Sequence, residues 1–368
     1  MAPKMTAARK GTPDTVASQL VASKSGTIAY YALISRLVIW VIAVASHALV
    51  QDYDSALELV LPIETRAQQL FKSIFGVFLR WDSFYFVHIA ENNYVFEQSH
   101  AFFPLLPGLM RLIANSVLAP LNAFLSYRQL LVLAGILISN VSFVIASVQI
   151  YRLSRTLFKQ DQFAFLTALL YILTPSGIFM SAIYAESLFA ALSFTGMLYA
   201  ARKQYLPAAI VWSISNLARS NGILYAGFFV YDLIVMIDLQ SSIWNKIKAL
   251  VKTGCLCLIT WSGFFAVQAY GFSLYCTKAF GIDTRPWCHT RMPFIYTFVQ
   301  GFYWNIGFLR YYEVKQIPNF LMAAPMITLS ASGIAFYTAY DLSRALSLGR
   351  SQASCTREDT LQKPPPCL

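Results

Sequence analysis

The sequence predicts an all-α, polytopic helical membrane protein, with about eight transmembrane helices and a first extramembrane loop that carries interfacial helices. Composition, the spacing of apolar runs and the placement of charge between them carry that prediction. The 368 residues are 57% hydrophobic and 12% charged, with a mean hydropathy of +0.54. A soluble domain carries about 25% charged residues, because a folded core needs a polar shell around it. Lipid is the solvent that this composition fits.

The apolar runs follow in order. A spanning helix needs roughly 20 mostly apolar residues, and the first run extends from Thr27 to Val50 after Lys4, Arg9, Lys10 and Lys24. It is longer than a signal-peptide core and lacks a cleavage pattern, so it reads as a retained span. A mixed segment, 51–128, follows with Asp52, Asp54, Glu58, Glu64, Asp82, Glu91 and Glu97. Gln129–Tyr151 is the second span. Phe163–Thr174 and Ile183–Ala200 form a predicted hairpin around Pro175-Ser176-Gly177. Leu206–Leu217 and Ile223–Ile237 form another, around Ala218-Arg219-Ser220-Asn221-Gly222, and Lys252–Ser273 and Phe320–Tyr340 complete the set. The expected organisation is a cytoplasmic segment 1–26, a membrane domain 27–341 with a large loop 51–128, and a polar, Pro-containing tail 342–368 that is predicted to be disordered.

The charges orient this arrangement. Met1–Gly26, Arg152–Lys159, Arg202–Lys203, Lys246–Lys252 and the chain from Arg344 carry Lys or Arg and few acids. They alternate with acidic or aromatic segments, as the positive-inside rule requires of cytoplasmic loops. The net charge of +11 is therefore an insertion signal. It forms no basic patch interleaved with stacking aromatics, which argues against nucleic-acid binding.

Four stretches carry polar chemistry at the predicted boundary. Arg80-Trp81-Asp82-Ser83-Phe84-Tyr85-Phe86 surrounds a carboxylate with rings. Aromatics favour the interface, and a partly dehydrated carboxylate rises in pKa toward the range of a general base. The bland reading is an interfacial helix in which Asp82 pairs with Arg80 or caps a helix. Glu186, in Tyr184-Ala185-Glu186-Ser187, is either a site acid or a helix-start residue favoured by the macrodipole. Arg219 is either a phosphate ligand or a snorkelling cation. Tyr303-Trp304-Asn305 through Arg310 to Lys315 is either a phosphate cradle or a surface helix, with Arg285-Pro286-Trp287 just before it.

His88 and His100 match no metal spacing, so no metal site is predicted. Phosphate-loop, nucleophile-elbow and zinc-protease motifs are all absent. Cys276 and Cys288 can pair if their loop faces an oxidising lumen, whereas Cys255 and Cys257 read as packed thiols. Asn140-Val141-Ser142 matches a glycosylation pattern in mid-span, where it is unreachable.

The chain resembles the GPI mannosyltransferase 2 family, membrane glycosyltransferases of the endoplasmic reticulum with a GT-C type architecture. The motifs that carry the resemblance are Arg80-Trp81-Asp82-Ser83-Phe84-Tyr85-Phe86 and Ala101-Phe102-Phe103-Pro104-Leu105-Leu106-Pro107, then Thr174-Pro175-Ser176-Gly177 through Tyr184-Ala185-Glu186-Ser187. Ala218-Arg219-Ser220-Asn221-Gly222 follows, then Tyr303-Trp304-Asn305 through Arg310 to Gln316-Ile317-Pro318-Asn319. Asn92-Asn93-Tyr94 stands where the family often has a Gly before the Tyr, and the Pro-rich tail stands where family members usually continue with further membrane segments.

The resemblance implies transfer of the second, α1,6-linked mannose from dolichyl-phosphate-mannose to a mannosylated GPI precursor at the lumenal face, with inversion. Asp82 is then the base. Arg219, Arg310, Lys315 and, less directly, Arg285 are phosphate ligands, and Glu186 orients the acceptor. Arg80, Trp81, Asn221 and Trp304 line the substrates. The lipid-linked donor is a substrate, so no cofactor is called for; membrane lipids and a small accessory membrane subunit are the further partners. A lipid or solute transporter, or a non-catalytic subunit of a membrane complex, are the competing classes. A transporter should show repeat symmetry and mid-span charges, and a subunit should tolerate alanine at Asp82, Glu186 and Arg219 together.

Overall fold

Helix α1 (Pro13–Leu49) enters the fold as a span that is apolar from Lys24 onward. The structure is a computed structural model that describes residues 13–50, 61, 65–237, 242–277 and 285–347. The acids Asp52, Asp54, Glu58 and Glu64, together with Cys355, Cys367 and the tail beyond 347, lie outside the described residues. Among the described residues all regular structure is helical, as the sequence predicts.

Among the described residues, eight α-helices belong to a first unit, residues 1–93 and 102–220. After α1 come α2 (Arg66–Phe75), α3 (Asp82–Asn92), α4 (Leu105–Asn115), α5 (Tyr127–Phe158), α6 (Asp161–Ile172), α7 (Glu186–Ala201) and α8 (Tyr205–Ser215). Helix α5 is the central post, packed against α1, α4, α6 and α7. Its start is fixed by a capping box, in which the Gln129 amide donates to Ser126 Oγ and the Ser126 amide donates to Gln129 Oε1; such a box satisfies two helix-end donors reciprocally. Thr65 and Gln68 do the same for α2. Helix α2 lies within the predicted 51–128 loop and packs on α1, where Phe75 stacks on Trp40 at 6.2 Å. Helices α7 and α8 meet at Gly196, where a side chain would collide with the buried Trp212 ring.

The second unit holds residues 94–101 and 221–368. It contains α9 (Ala226–Met236), α10 (Ile243–Tyr275), α11 (Ile295–Phe302), α12 (Ile317–Tyr340) and a short α13 (Leu342–Leu346) at the start of the predicted tail. Helix α10 contacts both α9 and α11. The Trp261 indole donates to the Ile223 carbonyl at 3.0 Å, and the Tyr296 amide donates to Gln268 Oε1 at 3.1 Å.

Among the described residues, four helical stretches are long and apolar enough to cross a membrane by length and composition: Lys24–Leu49, Tyr127–Phe158, Ile243–Tyr275 and Val314–Tyr340. The other four predicted spans resolve into short helices, α6 to α9, of 12, 16, 11 and 11 residues. At about 1.5 Å per residue they reach roughly 16–24 Å, short of a hydrocarbon core of about 30 Å. Their bounds follow the predicted apolar runs to within three residues at each end, with the breakers Pro175-Ser176-Gly177 and Arg219 to Gly222 between them. Helix α12 buries none of its residues and exposes Leu321, Met322, Ile327, Leu329 and Phe336. A helix apolar on every face has lipid or protein as its natural surroundings, and the chain is a multi-pass membrane protein.

Candidate functional site

Asp82 is the first residue of α3, and the turn that delivers it is unusual. Trp81 has φ 46°, a left-handed conformation that a bulky L residue seldom adopts, at a cost of about 1–3 kcal/mol. Its neighbours hold it there. Arg80 donates to the carbonyls of Gly76 and Leu79 at 3.1 and 3.2 Å. The Tyr184 hydroxyl donates to the Arg80 carbonyl at 3.0 Å, and Ser83 Oγ reaches the Phe78 carbonyl. The Trp81 ring is 63% exposed and lies nearly parallel to Phe179, with centroids 6.0 Å apart. An exposed indole held flat beside a carboxylate is a surface for a ligand to lie on.

Glu186 starts α7, as Asp82 starts α3, so each carboxylate sits at the positive end of a helix dipole. Arg219 follows α8 on a turn whose amide donates to the Ser215 carbonyl at 3.0 Å. The turn is tied to the first loop by the Leu105 amide, which donates to the Leu217 carbonyl at 2.8 Å. Arg219 forms an ion pair with Glu186. Both charges lie close enough to Asp82 to act on it.

The Asp82 carboxyl is raised above the ordinary carboxylate range. Desolvation by the surrounding protein is the largest cause, Glu186 adds to it, and Arg219 opposes it. Asp82 nevertheless keeps an open face, as a residue that meets substrate must. The Tyr184 phenol is pushed up to about 12 by desolvation and by the negative charges of Asp82 and Glu186; it stays protonated and remains a hydrogen-bond donor. A carboxylate with raised proton affinity, an acid and a cation beside it, and an exposed ring suit a site that can take a proton from a hydroxyl and bind a charged ligand.

The first unit thus brings together Arg80, Trp81, Asp82, Glu186 and Arg219 of the sequence-predicted residues, and adds Tyr184 and Phe179. The two additions sit in the motif that carries Glu186, which was the available signal for them. The remaining candidates belong to the second unit.

In that unit Arg285 is committed to Glu97. Its Nε and Nη2 donate to the two carboxylate oxygens at 3.1 and 2.7 Å. Trp287 Nε1 and the Tyr303 hydroxyl add hydrogen bonds of 2.8 Å each. Burial pushes the Glu97 carboxyl up, but these donors more than offset it and hold it below the ordinary range. His100 packs parallel to Tyr94, with ring centroids 4.3 Å apart, and burial takes it down to about 4 against the pull of Glu97. Cys276 and Cys288 are joined in a disulfide, with Cα atoms 5.5 Å apart. Lys315 pairs with Glu313 at 2.6 Å. Asn221, Trp304 and Arg310 are exposed. Among the described residues no group of three His, Cys, Asp or Glu could hold a metal ion.

Comparison with known proteins places this chain in a family. The profile of the mannosyltransferase (PIG-V) family matches residues 24–363. The chain belongs to this family. It is 35% identical to the GPI mannosyltransferase 2 of Schizosaccharomyces pombe over 85% of this chain and 65% of that protein. It is 31% identical to the human GPI alpha-1,6-mannosyltransferase 2 over 80% of this chain and 64% of the human one. With the GPI mannosyltransferase 2 of Yarrowia lipolytica the identity is 34%, over 79% and 78%. The chain therefore spans just under two thirds of the length of the fission-yeast and human relatives. No solved structure matches it. All five candidates of the first unit lie within the residues matched by the family.

Proposed function

We propose that this chain is a GPI α1,6-mannosyltransferase of the endoplasmic reticulum membrane, using dolichyl-phosphate-mannose as donor, with its active site on the lumenal side. Family membership supports the reaction class. The observation that carries the site assignment is the Asp82 carboxylate, raised in pKa and left open, beside Glu186 and Arg219. The alternation of basic and acidic loops supports the orientation, since it assigns the 51–128 segment to the non-cytoplasmic face.

In this reading the acceptor is a hydroxyl of a mannose on the GPI precursor. Its oxygen attacks the anomeric carbon of the donor as the carbon–oxygen bond to phosphate breaks, and the configuration inverts. Asp82 accepts the hydroxyl proton, and the electron pair of the broken bond leaves on the phosphate. Phosphate is a good leaving group and needs no protonation, so the chain must supply cations rather than an acid. Arg219 is the cation whose charge acts on Asp82, and Arg80 stands two residues before Asp82 in sequence. Arg310 and Lys315 are further candidates for the lipid phosphates, with Arg285 less available because Glu97 holds it. Glu186 orients acceptor hydroxyls, and Trp81 offers a face to the sugar or the prenyl chain; Asn221 and Trp304 are candidates for substrate contact.

Microsomes or purified protein supplied with dolichyl-phosphate-mannose and a one-mannose GPI precursor test the reading. Appearance of a two-mannose product supports it. A folded, membrane-inserted protein that forms no such product argues against it.

A further inference from the structure

Arg36 lies in the middle of the first membrane-crossing stretch, Lys24–Leu49, and is only 5% exposed. A charge at that depth is costly and persists where it serves a function. Among the described residues no carboxylate pairs with it. Its partners are instead the segment 174–185. Nη1 donates to the Gly177 carbonyl at 2.7 Å and to Ser181 Oγ at 3.1 Å. Ser181 Oγ in turn donates to Asn140 Oδ1 of α5 at 3.0 Å. The guanidinium also lies over the Phe143 ring, 3.8 Å from its centroid. Nη2 donates to Ser35 Oγ, which caps the Ile172 carbonyl at the end of α6. One cation therefore ties α1 to α5, to α6 and to the segment between α6 and α7.

That segment carries the walls of the site. Phe179 supports Trp81, Tyr184 holds the Arg80 carbonyl, and Ser187 Oγ donates to the Met180 carbonyl at 2.6 Å where α7 begins with Glu186. The segment has turns but no helical hydrogen-bond ladder of its own from Thr174 to Ala185, so its shape depends on what it is bound to. We infer that Arg36 is a positioning residue for the transfer reaction: from within the membrane it fixes the 174–185 segment and so sets Tyr184 and Glu186 beside Asp82. The inference rests on the function proposed above. A guanidinium is needed because one planar fork must serve several acceptors in different directions, which an ammonium on a flexible stem does poorly.

The test compares wild type, Arg36→Lys and Ser181→Ala in the full chain, with kinetics normalised to folded, monodisperse protein. Misplacing reacting groups by about 1 Å costs up to 10²-fold, so Arg36→Lys should lower kcat by about tenfold or more with KM for the donor within about twofold. A residue that served only folding or insertion would reduce the yield of folded protein and leave kcat per molecule unchanged. Wild-type kcat in Arg36→Lys overturns the inference. If that variant yields no folded protein, Ser181→Ala decides: a fall in kcat at constant KM supports the inference and an unchanged kcat overturns it. If wild type itself transfers no mannose, the proposed function fails separately, and amide hydrogen exchange decides Arg36. Faster exchange over 174–185 in Arg36→Lys or Ser181→Ala, with α5 unchanged, supports its positioning role, and equal exchange overturns it.

Discussion

Arg219 and Glu186 form an ion pair that joins the turn after α8 to the first turn of α7, with Asp82 within electrostatic reach of both. The side chains are 39% and 37% exposed, so the pair contributes little to stability, about 0–1 kcal/mol. Its effect falls on the neighbouring carboxylate.

With Asp82 as the base proposed above, the pair should tune the pH dependence of the reaction. Glu186 raises the Asp82 pKa and Arg219 lowers it. A base must be ionised, so activity falls as the pH drops through that pKa. Arg219→Ala should move the acid limb of kcat/KM to higher pH, and Glu186→Gln should move it to lower pH. Thermal stability should change little in either. Opposite shifts in one assay identify Asp82 as the titrating group, and two unmoved limbs would separate it from the pair.

The Glu97 cluster should make the second unit acid-sensitive. Glu97 is held below the ordinary carboxylate range, so its contribution is complete above the unfolded value of about 4.3 and is lost as pH falls through the lower folded value. His100 is lowered to about 4. It costs the fold nothing above its unfolded value of about 6.5 and destabilises progressively between there and about 4, because the unfolded chain binds the proton first. His100→Phe should flatten the pH dependence of the unfolding temperature in that window. Glu97→Gln should destabilise by about 1–3 kcal/mol at neutral pH by leaving Arg285 without its counter-charge. Thermal unfolding of the purified variants across pH 4–8 checks both.

The Cys276–Cys288 disulfide closes a short loop next to Trp287, one of the Glu97 donors. A loop of this size is worth about 3 kcal/mol when closed. Cys276→Ser with Cys288→Ser should therefore lower the unfolding temperature and increase protease cleavage near residues 276–288. Thiol labelling of intact, oriented microsomes before and after reduction reports whether the bond forms in the cell.

Much of this was legible in the sequence. The apolar runs place α6 to α9 to within three residues and the middles of α5, α10 and α12, because lipid-facing helices have nowhere to hide polar residues; the short α11 and α13 lie outside those runs. Asp82, Glu186 and Arg219 stand out as charges at breaks in apolar runs. Their convergence does not, since Glu186 and Arg219 are 33 residues apart and Tyr184 reaches back 104 residues to Arg80. The same limit hid the roles of Arg285, bound to a carboxylate 188 residues away, and of Arg36, which in an apolar run gives no sign of the segment it holds. Asn140 behaves as its mid-span position implied: its amide donates to the Ile136 carbonyl and its oxygen accepts from Ser181.

Replacing the base is the most direct test of the account. Cells lacking the second GPI mannosyltransferase would receive the wild-type chain or Asp82→Asn, with expression matched and GPI precursors profiled. Wild type should clear the one-mannose precursor, and transfer by Asp82→Asn, folded and equally abundant, should fall by about 10²–10⁴-fold, the usual contribution of a general base. Clearance by Asp82→Asn at the wild-type rate would contradict it.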